Sequence, residues 1–298
     1  MITRSRLKAI QQLAGKTLAD NNLLSKLPVD PKKLAEKIEI NVIPFTPSQR
    51  DISGCLMMER GVFGIFYSTA IKNEGFQNFT VAHELGHYFI EDHPSAVLVD
   101  GKHLSRSGYI SKDRYEREAD AFAAALLMPW KLIEPIIKRS TPGFEAIKAL
   151  SDACESSLVA SAIRYCELTS ECVATVVSHR GDVEFMTASE SFRQLQGINW
   201  LRKREQIPEN VPTYALSSDT EWIRCSNVAL EGSLLNQWFP DANEQEVEED
   251  VVGLGSYDRT LTVLITEPDP EEEDDEDNEE RGDGYIERMK EGIFRPRK

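Results

Sequence analysis

His83, Glu84, Leu85, Gly86 and His87 stand in a row, and no other stretch constrains the chain so much. On a helix, residues four apart project from one face, one turn apart. His83 and His87 can therefore grip a single metal ion. Glu84 lies between them and turns toward the mouth of such a site, where a carboxylate can take a proton from water. This H-E-x-x-H spacing is the mechanical signature of zinc hydrolases, so peptide-bond hydrolysis is the leading expectation. The run also demands a helix across 83–87 and a second element that delivers another ligand. A catalytic zinc takes three protein ligands and keeps one position open.

The rest of the chain sets the frame. Its 298 residues, 41% of them hydrophobic, suit one large or two modest soluble domains. No run approaches the roughly 20 apolar residues that span a bilayer. Met1 to Ala14 is mixed and charged, without a secretory pattern, so a cytoplasmic protein with no membrane partner is expected. Cys55, Cys154, Cys166, Cys172 and Cys225 lack metal-type spacing and read as reduced, mostly buried thiols. Of the net charge of −16, residues 241–298 supply −14, with 21 acids against 7 bases. The near-neutral remainder does not point to direct nucleic-acid binding, without forbidding it.

Periodicity predicts a helix over 3–24, through Leu7, Ile10, Leu13, Ala14 and Leu18. Asp30-Pro31 reads as a cap and first turn of a short helix. Strands follow at Ile40 to Phe45, Gly54 to Met58 and Val62 to Tyr67, with a turn at Gly61, and a small antiparallel sheet is the simplest arrangement. The motif helix spans about 73–91. Gly86 costs it about 1 kcal/mol relative to Ala, with room for a close backbone neighbour as the return. Residues 92–111 read as a loop crossing the cleft. A helix runs from about 112 to Met128, stopped by Pro129. Further helices are expected over 130–139 and, in two pieces parted near Glu155-Ser156, over 144–168. From about Glu171 the segments CVATVVSH and DVEFMTA, joined by Arg180-Gly181, read as a hairpin. More strands are expected at Asn227 to Leu230, Val251 to Gly255 and Leu261 to Thr266. The stretch 267–284 is almost free of apolar residues and is expected to be disordered.

For the remaining ligand the candidates are Glu116, Glu118, Asp120, His93 and His103. Glu116 and Asp120 share a helix face. Glu116 could bind the metal while Asp120 accepts the free N–H of a ligand histidine and fixes its tautomer. Glu118 points about 160° away from them, toward solvent or a salt bridge with Arg114 or Arg117. His93, His103 and His179 read as ordinary loop or hairpin-end histidines. Trp200, Trp222 and Trp238 read as core.

HELGH followed by YEREADAFAAALLMP resembles the ImmA/IrrE family of metallo-endopeptidases, over about 1–170. The resemblance implies that the Glu opening the second run, here Glu116, is the third ligand, so that one Zn²⁺ is held by His83, His87 and Glu116. The fold class implied is α+β. A zincin-like peptidase domain would occupy 1–130, with a helical, helix-turn-helix-like segment over 131–170. A mainly β domain over 171–266, an acidic linker over 267–284 and a basic, apolar tail over 285–298 would follow. Zinc would acidify water and polarise a carbonyl, with Glu84 as general base and then acid. Of the oxyanion donors available, Tyr88, His103, Tyr109 and Tyr115, the cleft-loop pair His103 and Tyr109 is preferred. The family's fold implies substrate pairing along strand 54–58. Family members are linked to cleaving helix-turn-helix repressors in stress responses or mobile-element control, so the expected partner is a protein substrate of that kind. The competing expectation is a non-proteolytic, metal-containing regulatory protein of a toxin–antitoxin or defence-type operon, acting through 171–266.

Overall fold

A computed structural model describes residues 3–46, 52–106 and 113–269. Its first helix, α1 (Arg4–Asp20), is capped by the Thr3 hydroxyl, which accepts from the Arg6 amide and satisfies a donor that has no partner inside the helix. Asp30 caps α2 (Pro31–Lys37) through the amides of Lys32 and Lys33, as its place before Pro31 predicts. Three strands follow: β1 (Asn41–Phe45), β2 (Ile52–Glu59) and β3 (Val62–Ser68). Asn73 caps α3 (Glu74–Phe89), the helix that carries the motif.

The segment expected to be a loop is not one. It contains a short helix, α4 (His93–Val97), and a strand, β4 (Lys102–Arg106), before Asp113 caps α5 (Arg114–Leu127). Lys102–Arg106 has no apolar alternation to announce a strand. It is a strand because β2 offers it a free edge, with Leu56 opposite His103. The sheet order is β1-β3-β2-β4, and β1 runs parallel to β3. The sheet is therefore mixed, where an antiparallel one was expected. Only the β2–β3 hairpin follows from local turn chemistry; the place of β1 is set by packing.

The sheet and α1, α2, α3 and α5 share one core, built on Ile10, Leu18, Leu34, Leu56, Ile65, Leu85, Phe122 and Leu126. At its centre α3 crosses α5 without an intervening side chain. A Cβ at Gly86 would lie 3.0 Å from Ala119 Cα and 3.1 Å from its carbonyl oxygen. This is the close backbone neighbour expected in return for a glycine in mid-helix.

Three helices come next, α6 (Trp130–Ile137), α7 (Phe144–Cys154) and α8 (Leu158–Leu168). The predicted hairpin is present as β5 (Cys172–His179) and β6 (Asp182–Ala188). Arg180 and Gly181 at its turn have φ of 53° and 83°, the pair of positive values that a two-residue hairpin requires. The short helices α9 (Glu190–Gln194), α10 (Pro212–Ser217) and α11 (Thr220–Arg224) follow, none of them expected. The chain then forms β7 (Val228–Leu234), α12 (Leu235–Trp238), β8 (Glu246–Gly253) and β9 (Thr260–Thr266). These strands make an antiparallel sheet of order β6-β5-β9-β8-β7. Both faces are covered: Val173, Val177 and Val263 pack on α7 and α8, and Ala174, Val176 and Leu264 pack with Phe192 and Trp238. Trp200 is not core as expected; it is 41% exposed and carries the Arg193 guanidinium over its ring. All five cysteines are free and only Cys225 is exposed. The expected disorder over 267–284 and the tail over 285–298 fall almost wholly outside the described residues.

Replacing Gly86 by valine should push α3 off α5. The expected loss is about 1–3 kcal/mol, read as a lower denaturant midpoint. An unchanged midpoint would mean that the two helices can separate without cost.

Candidate metal centre

The α3–α5 crossing brings the side chains of the motif to those of the second helix. His83 and His87 project from α3 with their Nε2 atoms 3.1 Å apart. From the first turn of α5, Glu116 reaches between them: Oε2 lies 3.5 Å from His83 Nε2, and Oε1 lies 3.4 Å from His87 Nε2. From β4, His103 places its Nε2 3.0 Å from Glu116 Oε1. Among the described residues, His83, His87, His103 and Glu116 form a set whose donor atoms all lie within 4.8 Å of one another. A tetrahedral centre with bonds of about 2.0–2.1 Å has donors roughly 3.4 Å apart. The separations of 3.1 to 3.5 Å among His83, His87 and Glu116, with a different carboxylate oxygen facing each ring, are close to that edge, and nitrogen and carboxylate donors suit zinc. The residues present therefore fit a metal ion.

Around this centre each group has a defined support. Asp120 Oδ1 accepts from His83 Nδ1 at 2.9 Å, and this leaves His83 Nε2 facing the cluster. Glu84 is fully buried. The Ser105 hydroxyl donates to its Oε1 at 2.6 Å, while its Oε2 has no hydrogen-bond partner. A Cβ at Gly54 would come within 2.5 Å of Glu84 Oε1, so β2 must present a glycine for the carboxylate to lie there.

Charge within the cluster follows from burial set against partners. Burial opposes a charge on His83, but hydrogen bonds to Asp120 and Glu116 outweigh it and raise its pKa to about 10. Burial dominates at His87, where the pKa is lowered to about 3. Glu116 also pays for burial, yet three imidazole contacts hold its carboxyl well below the usual carboxylate range. Burial pushes Glu84 upward, offset in part by His83 and Ser105.

Several residues stand where the sequence did not put them. Glu118 points away from Glu116 as its helical angle requires, but not into solvent. It is fully buried, bonded to Arg114 as expected and also to Arg6 of α1 and His93 of α4. His93 is no loop histidine either; it is fully buried with Nδ1 3.1 Å from His87 Nδ1. His103 sits on a strand inside the cluster. Helical spacing could not find either histidine, because α4 and β4 are placed by tertiary packing. Tyr109 lies outside the described residues. Tyr115 packs edge-on against His93, and Tyr88 against Phe63. Strand 54–58 cannot take a substrate by edge pairing, since β2 is held on both sides by β3 and β4. His179 is half-buried and near Asp258.

Residues 35–158 match the family described as the IrrE N-terminal-like domain, Peptidase_M78. No curated protein matches the chain. Among solved structures, a Mycobacterium tuberculosis transcriptional regulator is similar in fold, with a TM-score of 0.56 at 11% identity, covering 87% of this chain and 76% of that one. No helix among the described residues is long and apolar enough to cross a membrane.

Metal uptake should release protons, because the His83 imidazolium must lose one before its Nε2 can donate to a metal. With that pKa raised to about 10 and the His87 pKa lowered to about 3, about one proton per ion should leave at pH 7. Affinity should strengthen as pH rises toward 10. Calorimetry in buffers of different ionisation enthalpy reads the proton count. An observed heat independent of buffer would contradict this charge assignment.

Proposed function

With residues 35–158 belonging to the ImmA/IrrE peptidase family, we propose that the chain is a cytoplasmic zinc-dependent endopeptidase acting on a regulatory protein, such as a helix-turn-helix repressor. The observation that carries this reading is the convergence of His83, His87 and Glu116 at 3.1 to 3.5 Å beside a buried carboxylate with one oxygen unpartnered. His83, His87 and Glu116 are the proposed zinc ligands. Zinc held there would acidify the attacking water and polarise the scissile carbonyl. Glu84 takes the water's proton and passes it to the leaving amine nitrogen. Ser105 holds Glu84 by one oxygen and leaves the other for that exchange. Asp120 keeps His83 in the tautomer that offers Nε2. His103 is the proposed donor to the tetrahedral oxyanion. The substrate would lie extended along β4, which edges the sheet and carries both His103 and Ser105. Residues 1–130 form the peptidase domain on this reading, with 131–170 and 171–266 as accessory parts.

One observation favours a second reading. His103 stands close enough to serve as a fourth protein ligand. Four protein ligands make a closed, structural zinc site with no place for water, as in a regulatory protein that acts through 171–266.

Glu84→Gln separates the two. If the chain is a peptidase, this variant should keep its zinc and cleave a co-expressed repressor candidate about 10²–10⁴-fold more slowly. Glu116→Ala should lose zinc. Equal cleavage by Glu84→Gln and wild type would remove Glu84 from the chemistry, and full zinc retention by Glu116→Ala would place the third ligand elsewhere.

A further inference from the structure

A second group of polar side chains lies on the Nδ1 side of His87, across the ring from the Nε2 that faces His83 and Glu116. His93 and Glu118 are both fully buried. His93 places Nδ1 3.1 Å from His87 Nδ1 and Nε2 3.1 Å from Glu118 Oε2. Glu118 in turn accepts from Arg6 Nε at 3.1 Å and a terminal Arg6 nitrogen at 2.7 Å, and from Arg114 Nε at 2.9 Å. Asp92 bridges the same two arginines. Asp92, His93 and Glu118 could by composition hold a metal of their own. Two guanidinium groups already occupy their carboxylates, so the cationic partner is supplied by the chain.

We propose that His93 is a positioning residue for His87, and that with Glu118 it decides which ring nitrogen His87 offers to the metal. This rests on the reading of the cluster as a metal centre. The argument follows from what each atom can do. A carboxylate bonded to two guanidiniums is ionised and only accepts, so the His93 nitrogen facing it, Nε2, carries a proton. Asp92 and Glu118 are already balanced by the Arg6 and Arg114 guanidiniums, so a buried His93 imidazolium would be an unpaired charge; His93 is neutral and its Nδ1 is an acceptor. The His87 nitrogen opposite must donate, so the His87 proton is on Nδ1. Its Nε2 is left with a free lone pair, directed at His83 Nε2 and Glu116. A metal-binding histidine needs its other N–H anchored to an acceptor, which fixes ring angle and tautomer. His83 gets this from Asp120 in one step; His87 gets it through a second imidazole. The two histidines of the motif are thus oriented by different carboxylates on opposite faces of α5. The route to His87 also runs through α1, by way of Arg6.

Two measurements test this. In the metal-free full-length protein labelled with ¹⁵N, histidine ring spectra should show His87 protonated on Nδ1 and His93 on Nε2. A His87 proton on Nε2 overturns the proposal, and needs no variant. Zinc titration should then give about ten- to hundredfold weaker binding for His93→Leu, with secondary structure unchanged. His93→Gln, whose carbonyl oxygen can accept the same bond, should retain most of the affinity. Wild-type affinity in His93→Leu would also overturn it. If the wild-type protein takes up no zinc, or His87→Ala takes it up unchanged, the metal-centre reading itself falls and this proposal with it. The spectra would still report whether the hydrogen-bond chain exists.

Discussion

Everything at the candidate metal centre depends on how closely two helices can approach. Gly86 lets the backbone of α3 rest on Ala119 of α5, and that contact sets the distance between the imidazoles and Glu116. A separation larger by the width of one methyl group would take the carboxylate out of reach of both rings. Apolar side chains on either side, among them Leu85, Phe89, Phe122 and Leu126, hold the two helices in register. The polar constellation is thus built on a close, apolar helix contact.

The sheet contributes from the other side. Gly54 on β2 clears space for Glu84, and β4 brings Ser105 to Glu84 and His103 to Glu116. Helices supply the groups that would hold a metal and the carboxylate that would move the proton; the sheet supplies Ser105, which holds that carboxylate, and His103 beside Glu116. This division follows from geometry. Helical neighbours at four-residue spacing can share one small centre, whereas a strand sends alternate side chains, here His103 and Ser105, to one face.

The parts legible in the sequence are those fixed by local periodicity. His83 and His87, and Glu116 with Asp120, were paired by helical spacing alone, and the structure places all four together. The cap Asp30 and the turn at Arg180-Gly181 followed from backbone chemistry. What was missed came from long-range packing. The angle of Glu118 was right and its surroundings were not, because nothing local shows that α1 lies across that face. His93 and His103 sit in a segment without period, and KHLSR becomes a strand only through β2. The same cause hid the parallel pairing of β1 with β3 and the short helices between 190 and 224.

The bond from Arg6 to Glu118 has a bearing on where this protein can be cut. The family match begins at residue 35, and a fragment trimmed to that boundary would look complete by homology. It would lack α1, which supplies Ile10, Ala14 and Leu18 to the core and one of the two guanidiniums on a buried carboxylate. An enclosed anion stripped of a partner is a heavy burden for a small domain. The minimal working unit is therefore longer than its recognisable signature, and begins at the first helix.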